Sequence, residues 1–374
     1  MSFATLGLSP VLLKLLTDQF FTLATPIQTA AIPAILNKKD VLGIAKTGSG
    51  KTAAYVLPLL MNFYKNVNVK NRHVNVLVLV PTRELAVQVK NVFNNFTQVL
   101  PQRVKTLAVF GGASINPQMM ALQGVNVLVA TPGRLLELVT ANAVHLSEID
   151  TLVMDEADKL LTLGFKGELD RIMDLLPPKR QNILFSATLS PDLQSIQAGI
   201  LQNPEVIKIE SEEETIDQIK QIAYLVAPEK KGPYLRQLIV QQGMKQVLVF
   251  ASSIHQVDTV VSKLIKNKIM ARAMHSQKSQ GARTEALTQF KAGKLPVLVA
   301  TDLMARGIDI DHLPYVINYE LPRSSKDYIH RIGRTGRAGA SGEAISLLTH
   351  NDLPHFEVIQ KKMGKTVEII DIER

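Results

Sequence analysis

The sequence predicts two tandem α/β domains, each a mainly parallel sheet flanked by helices. At 374 residues, the chain exceeds the size at which one hydrophobic core stops growing, so two cores are expected. Short, nearly continuous apolar runs rich in β-branched residues recur along it. That pattern marks strands buried on both faces of a parallel sheet, whereas half-exposed strands alternate. Between the runs lie stretches of helical length and spacing, 84–96 and 253–267 among them, which make the runs repeated βα units.

In the first half, strands are expected at 41–45, 74–80, 106–110, 125–130, 151–154 and 182–185. In the second, they are expected at 246–250, 270–274, 296–300, 315–319 and 344–348. The boundary falls in Glu-Ser-Glu-Glu-Glu-Thr at 210–215, four acidic residues in five positions with almost no apolar content. A solvated linker fits this composition; so does the acidic first turn of an exposed helix. The expected domains are 1–209 and 217–374, joined by 210–216.

Composition narrows the function classes. Hydrophobic residues make up 46% and charged residues 20%, a globular rather than a disordered balance. The net charge of +9 is spread as a small basic excess over both halves, which suits a polyanion partner and equally suits many cytosolic proteins. The absence of cysteine excludes disulfides, thiolate metal sites and thiol nucleophiles. The first ten residues lack a basic segment followed by an apolar one, and no apolar run nears the ~18 residues of a membrane span. A cytoplasmic protein without a membrane partner is expected.

The segment Ala45-Lys46-Thr47-Gly48-Ser49-Gly50-Lys51-Thr52 follows the first expected strand and opens a helix. Small residues there let backbone N–H groups wrap phosphate oxygens at a helix N-terminus. Lys51 would reach the β- and γ-phosphates, and the Thr52 hydroxyl would coordinate Mg2+. Ala45 stands where the general pattern has its first glycine. The run Asp155-Glu156-Ala157-Asp158 follows the strand at 151–154, at the strand end where ligands sit in such sheets. Asp155 can hold Mg2+ through water, and Glu156 can orient the attacking water. Carboxylates also favour a helix start for its dipole alone; the upstream phosphate loop favours nucleotide hydrolysis. Ser186-Ala187-Thr188 ends the strand at 182–185. Its hydroxyls could bridge the acidic motif to a neighbour, or simply form a turn.

Taken with His330-Arg331-Ile332-Gly333-Arg334-Thr335-Gly336-Arg337, this ordered set resembles the DEAD-box RNA helicases over nearly the whole chain. Thr25-Pro26-Ile27-Gln28 with Phe3 upstream agrees, as do Pro81-Thr82-Arg83-Glu84-Leu85-Ala86, Gly111-Gly112 and Thr131-Pro132-Gly133-Arg134. So do Gln280 with Arg283, Thr301-Asp302, and Ala305-Arg306-Gly307-Ile308-Asp309. The opening Met-Ser-Phe and Leu-Gly-Leu-Ser-Pro look like the bacterial RhlE-like branch, whose members usually carry a basic tail after the second domain; this sequence stops at Arg374. Met304 sits where the family commonly has Ala, and Lys46 varies within the phosphate loop.

The resemblance implies two RecA-like domains and an RNA-stimulated ATPase that unwinds short duplexes or remodels RNA and RNA–protein complexes, with ATP and Mg2+ as its cofactors. Gln28 would read the adenine edge and Phe3 would stack on the ring, although Pro26 and Gln28 also suit a helix start. Arg334 and Arg337 would be arginine fingers on the γ-phosphate; a solvated loop or a phosphate-backbone patch is the plain alternative for three arginines in seven residues. Asp309 would contact the ribose. Asp158, Ser186, Thr188, His330 and Arg331 would couple the domains. RNA contacts are implied for Pro81, Thr82, Arg83, Gly112, Thr131 and Arg134, and for Arg283, Thr301, Asp302 and Gly307, mostly on phosphate and sugar and hence largely blind to sequence. Single-stranded RNA and short duplexes are the expected partners, with ribosome-assembly or RNA-decay proteins beside them and a monomeric core. An ATP-gated RNA clamp and a DNA-translocating motor are the competing readings.

Overall fold

The computed structural model describes residues 1–46, 48–63, 72–100, 102–189, 191–209, 219–302, 313–336 and 342–372, apart from the side chains of Asp192, Ser195 and Ile196. The expected linker, 210–216, lies outside them. The chain divides into two compact units, Met1–Ser211 and Glu212–Arg374.

Unit 1 carries strands β1 (Val41–Ile44), β2 (Val76–Leu79), β3 (Thr106–Val109), β4 (Val127–Ala130), β5 (Thr151–Met154), β6 (Gln181–Ser186) and β7 (Glu205–Lys208). They form one seven-stranded sheet in the order β3-β4-β2-β5-β6-β1-β7, and every pairing is parallel. Unit 2 carries β8 (Lys220–Leu225), β9 (Val247–Phe250), β10 (Ala271–Met274), β11 (Val297–Ala300), β12 (Tyr315–Asn318), β13 (Glu343–Leu348) and β14 (Glu368–Asp371). Its order is β10-β11-β9-β12-β13-β8-β14, again all parallel. Counted within each unit, the two orders are the same, so β8 holds in unit 2 the place that β1 holds in unit 1. Two α/β units with parallel sheets are the expected fold.

The nearly continuous apolar runs have the predicted cause. In β2, Val76 and Val78 enter the core on one face while Leu77 and Leu79 enter the core on the other. The helices Pro10–Asp18, Pro26–Leu36, Lys51–Asn62 and Arg83–Thr97 cover the first face through Leu12, Ile32, Tyr55 and Val89. Helices Pro132–Thr140, Ala157–Thr162 and Lys166–Leu175 cover the second through Leu135, Leu160 and Ile172. In β9, Val247 and Val249 separate from Leu248 and Phe250 in the same way.

Three strands escape the apolar-run criterion. β7 and β14 are sheet edges; β7 buries only Ile207, and β14 buries none of its residues fully. β8 lies inside the sheet but starts exposed, with Ala223 and Leu225 alone fully buried. A strand covered on one face needs fewer apolar residues.

Parallel register gathers the strand ends that matter. Ile44 pairs with Ser186, Leu79 with both Ala130 and Met154, and Val109 with Ala130. The loops leaving β1 to β6 therefore line one edge of the unit 1 sheet.

Candidate nucleotide site and nucleic-acid interface

The phosphate loop leaves β1 at Ala45, whose N–H donates to the Ser186 carbonyl at 3.0 Å. Gly48 and Gly50 take left-handed backbone angles, φ 83° and 91°, which side-chain-bearing residues adopt at a cost. At Gly50 the space is closed as well: a Cβ would lie 2.5 Å from Nε2 of Gln28. The helix Lys51–Asn62 follows directly. Lys51 is buried, and its Nζ donates to the Ala45 carbonyl at 2.8 Å, so the ammonium turns back into its own loop. Ser49 Oγ is buried with no hydrogen-bond partner among the described residues. Lys46 is exposed, Thr52 is half-buried, and Thr47 lies outside the described residues.

Gln28 is 3% exposed. Its Oε1 accepts from the Thr25 N–H at 2.9 Å, and its Nε2 donates to the Gly50 carbonyl at 3.1 Å. The adenine motif is thus tied to the phosphate loop. An amide offers two N–H groups and two oxygen lone pairs, so one of each remains. Phe3 is buried in the same hydrophobic core as Ile27.

At the end of β5, Asp155 is 2% exposed. Its Oδ1 accepts from the Glu156 N–H and its Oδ2 from the Tyr55 hydroxyl, both at 2.9 Å. Burial pushes the Asp155 carboxyl above its ordinary range, and the charge of Lys51 opposes that shift. Glu156 has a left-handed backbone (φ 53°, ψ 48°), a conformation costing a non-glycine residue about 1–3 kcal/mol. Its Oε1 meets Lys159 Nζ at 2.7 Å, and its Oε2 is buried with no partner among the described residues. A strained carboxylate with one oxygen held and the other bare has the form of a group that waits for a ligand. Asp158 accepts from the Thr188 hydroxyl at 3.2 Å and the Ala187 N–H at 3.5 Å, while Ser186 Oγ donates to the Thr188 carbonyl at 2.8 Å. The acidic and Ser-Ala-Thr motifs are therefore joined inside unit 1.

Sequence reasoning missed Tyr55 and Lys159. Spacing held a signal for Lys159, at i+3 from Glu156, whereas Tyr55, one helical turn beyond Lys51, has nothing in sequence to set it apart from a core residue.

The unit 1 residues expected to meet RNA converge on the loop at 111–113. Arg83 Nη1 donates to the Gly112 carbonyl at 3.3 Å. Gly112 has φ +69°, and a Cβ there would land on the Arg83 guanidinium. Thr131 Oγ1 accepts from the Gly111 N–H at 3.4 Å, and Arg134 Nη2 donates to the Ala113 carbonyl at 2.9 Å. Arg134 is also paired with Glu137, yet its Nη1 is buried without a partner among the described residues. Pro81 is buried at the end of β2, and Thr82 caps the helix Arg83–Thr97 by accepting from the Leu85 N–H. The loop is shaped from below by groups that can also face a phosphate.

Unit 2 holds the remaining expected residues. Arg331 is 2% exposed and spends its guanidinium inside the unit: on both oxygens of Asp302, on Asn318 Oδ1 at 2.9 Å and on the Glu320 carbonyl at 2.6 Å. It also stacks 4.8 Å above the Phe250 ring. These bonds make Arg331 a brace inside unit 2. The Asp302 carboxylate is engaged in turn, so any contact it makes with RNA would use its backbone. The Thr301 N–H donates to the Met274 carbonyl at 3.3 Å, and Arg283 is buried with its guanidinium on Gln280 Oε1. His330 is exposed in the last turn of the helix Ser325–Ile332. Arg334 is buried just after that helix, its carbonyl accepting from the Leu313 N–H at 3.0 Å. Gly307, Asp309 and Arg337 lie outside the described residues.

Comparison with known proteins agrees with this arrangement. Residues 25–196 match the model of the DEAD/DEAH box helicase family, and residues 230–339 match that of the helicase conserved C-terminal domain. A DEAD-box ATP-dependent RNA helicase CshA of Geobacillus kaustophilus is 37% identical over 368 residues, covering 98% of this chain and 78% of that protein. The enzyme of the same name from Bacillus subtilis is 36% identical, over 98% of this chain and 73% of its own. Among solved structures, yeast Dbp5 bound to RNA and ADP BeF3 aligns with a TM-score of 0.84 at 29% identity, covering 99% of this chain and 95% of that one. With the phosphate loop, the acidic strand end and both family models in one chain, the protein belongs to the DEAD-box family of ATP-dependent RNA helicases.

Proposed function

We propose that this chain hydrolyses ATP in response to RNA and uses the cycle to unwind short duplexes or remodel RNA and RNA–protein complexes. The observation that carries the reading is Lys51, set in a glycine-bearing loop after β1, on the same sheet edge as Asp155 and Glu156 after β5, where its charge acts on Asp155. In the mechanism, Lys51 leaves the Ala45 carbonyl to meet the β- and γ-phosphates. Glu156 offers its bare Oε2 to the attacking water while Lys159 holds Oε1. Gln28 reads adenine with its remaining N–H and lone pair and stays tied to Gly50, and Phe3 contributes the ring beside the base.

The donor set fits Mg2+. Among the described residues no cluster of three or more His, Cys, Asp or Glu could hold a metal unaided. Mg2+ is ordinarily held by one or two carboxylates together with water and substrate phosphate, and Asp155 with the Thr52 hydroxyl supplies that kind of site. When bound, the ion would neutralise charge on the β- and γ-phosphate oxygens.

Arg334 and Arg337 in unit 2 would neutralise charge as the phosphoryl group transfers, and Asp309 would hold the ribose. Turnover then draws on groups from both units, and ATP and RNA together favour the closed pair over the open one. In this reading 1–209 and 217–374 are the two working domains, 210–216 is the linker, and the core acts as a cytoplasmic monomer. Asp158, Ser186, Thr188, His330 and Arg331 relay between the domains. RNA is gripped along its backbone by Pro81, Thr82, Arg83, Gly112, Thr131, Arg134, Arg283, Thr301, Asp302 and Gly307. Placement in the RhlE-like branch, and work beside ribosome-assembly or RNA-decay proteins, are finer parts of the same proposal.

RNA-stimulated ATP turnover is the test. Lys51→Ala should abolish it, and turnover retained in that variant would refute the phosphate-loop assignment. Strand displacement on a short duplex separates unwinding from clamping. Stimulation by RNA and by DNA of matched length separates an RNA enzyme from a DNA motor, since only RNA offers 2′-hydroxyls.

A further inference from the structure

Asp155 sits in a shell that the proposed chemistry does not use. Tyr55, from the helix Lys51–Asn62, is 0% exposed and gives its hydroxyl to Asp155 Oδ2 at 2.9 Å. Its position on the helix, one turn past Lys51 and Thr52, puts all three on one face. The Tyr55 ring packs on Phe185 with centroids 5.8 Å apart and planes 34° apart. Phe185 is confined in turn, because it fills the space that a Cβ on Gly43 of β1 would take. Gly43, Phe185 and Tyr55 thus form a packed column that ends on the carboxylate.

We propose that Tyr55 is a positioning residue for Mg2+: its hydroxyl, held by that column, fixes the plane of the Asp155 carboxylate for the metal that accompanies ATP. The proposal rests on the nucleotide-site reading above. Asp155 has two torsions to lose, and two donors hold them. The Glu156 N–H takes Oδ1 and Tyr55 takes Oδ2, and each oxygen keeps a lone pair for water on a bound ion. Groups that orient a metal ligand from behind commonly change metal affinity by about 10–100-fold when removed. A plainer role is that the hydroxyl merely needed a buried partner. Removing it would then weaken the fold or nucleotide binding without regard to the metal.

The two are separated by binding a fluorescent, non-hydrolysable ATP analogue to the full chain. Affinity is measured in EDTA and across a Mg2+ titration, for wild type and Tyr55→Phe. The substitution keeps the ring and deletes one oxygen, and thermal melting in EDTA shows that both proteins are folded at the temperature used. With the analogue in EDTA, the two should agree within about twofold, while the Mg2+ needed for half-maximal gain should rise about tenfold in Tyr55→Phe. If wild type gains affinity from Mg2+ and the variant gains as much at the same Mg2+ concentration, or if the variant loses the same factor with and without the ion, the positioning role is overturned. If wild type binds no analogue or gains nothing from Mg2+, the nucleotide-site reading itself fails.

Discussion

The Arg331 guanidinium is taken up inside unit 2 by Asp302, Asn318 and the Glu320 carbonyl. Arg331→Met should destabilise unit 2 by about 1–3 kcal/mol, the cost of leaving Asn318, the Glu320 carbonyl and the half-buried Asp302 carboxylate without their donor. Chemical denaturation checks this, and a loss of RNA-stimulated turnover with no loss of stability would overturn the bracing role. Arg331→Lys should not rescue it, because an ammonium cannot reproduce the bidentate fork. At Gly112 the family motif indicated a special position, and the geometry supplies the reason. A Cβ meets the Arg83 guanidinium, and the backbone is left-handed. Gly112→Ala should raise the RNA concentration needed for half-maximal ATPase stimulation while leaving ATP-analogue binding in the absence of RNA unchanged. Titrating RNA against both readouts tests it. Lys51, Asp155 and Glu156 were legible because their motifs follow strand ends, whereas Tyr55 was not, since a buried aromatic at helical spacing looks like any core residue.

At the scale of elements, the repeated strand order sets up a comparison between the two first strands. β1 leads through a glycine-bearing loop to Lys51, and β8 leads through Val226-Ala227-Pro228-Glu229-Lys230, without glycine, to Lys231 at the head of its helix. Lys231 is buried, and its Nζ lies 3.2 Å from the Tyr319 carbonyl and 3.4 Å from Asp352 Oδ2. The same topological position thus holds a phosphate cradle in unit 1 and an internal ion pair in unit 2. Burial lowers the Lys231 pKa, with Asp352 opposing. At Asp352 burial acts to raise the pKa, but the Thr349 N–H and hydroxyl, together with Lys231, outweigh it and hold the carboxyl below its usual range. A carboxyl depressed in the fold contributes stability that is complete above its unfolded pKa and lost as pH falls through the folded value. The urea midpoint of wild type should therefore exceed that of Asp352→Asn by a constant margin from about pH 8 to about pH 5, and the margin should shrink below about pH 4. A margin independent of pH would remove the ion pair from the account. Strands were legible wherever both faces are covered, as in β2 and β9. They were lost at the edges β7 and β14 and in the thinly covered β8, where few apolar residues are needed.

For the whole molecule, the proposed chemistry is divided: Lys51, Asp155 and Glu156 belong to unit 1, and Arg334 belongs to unit 2. If these groups serve one transition state, their removals cannot add, because each deletion leaves the others with nothing to act on. Glu156→Gln alone and Arg334→Ala alone should each lower RNA-stimulated kcat by about 10³-fold, the scale on which an arginine finger contributes. The double variant should then fall little further than either single one, while all three still bind the ATP analogue. Two independent roles would instead multiply, sending the double variant about 10⁶-fold down if each single loss is about 10³-fold. Arg334 is buried, so its variant must also be melted beside wild type. A drop in stability that matches the lost activity would mean that Arg334 supports the fold of unit 2 rather than the reaction. Single-turnover measurements with RNA saturating keep RNA affinity out of the comparison, so that a shortfall in the double variant reports on the phosphoryl-transfer step.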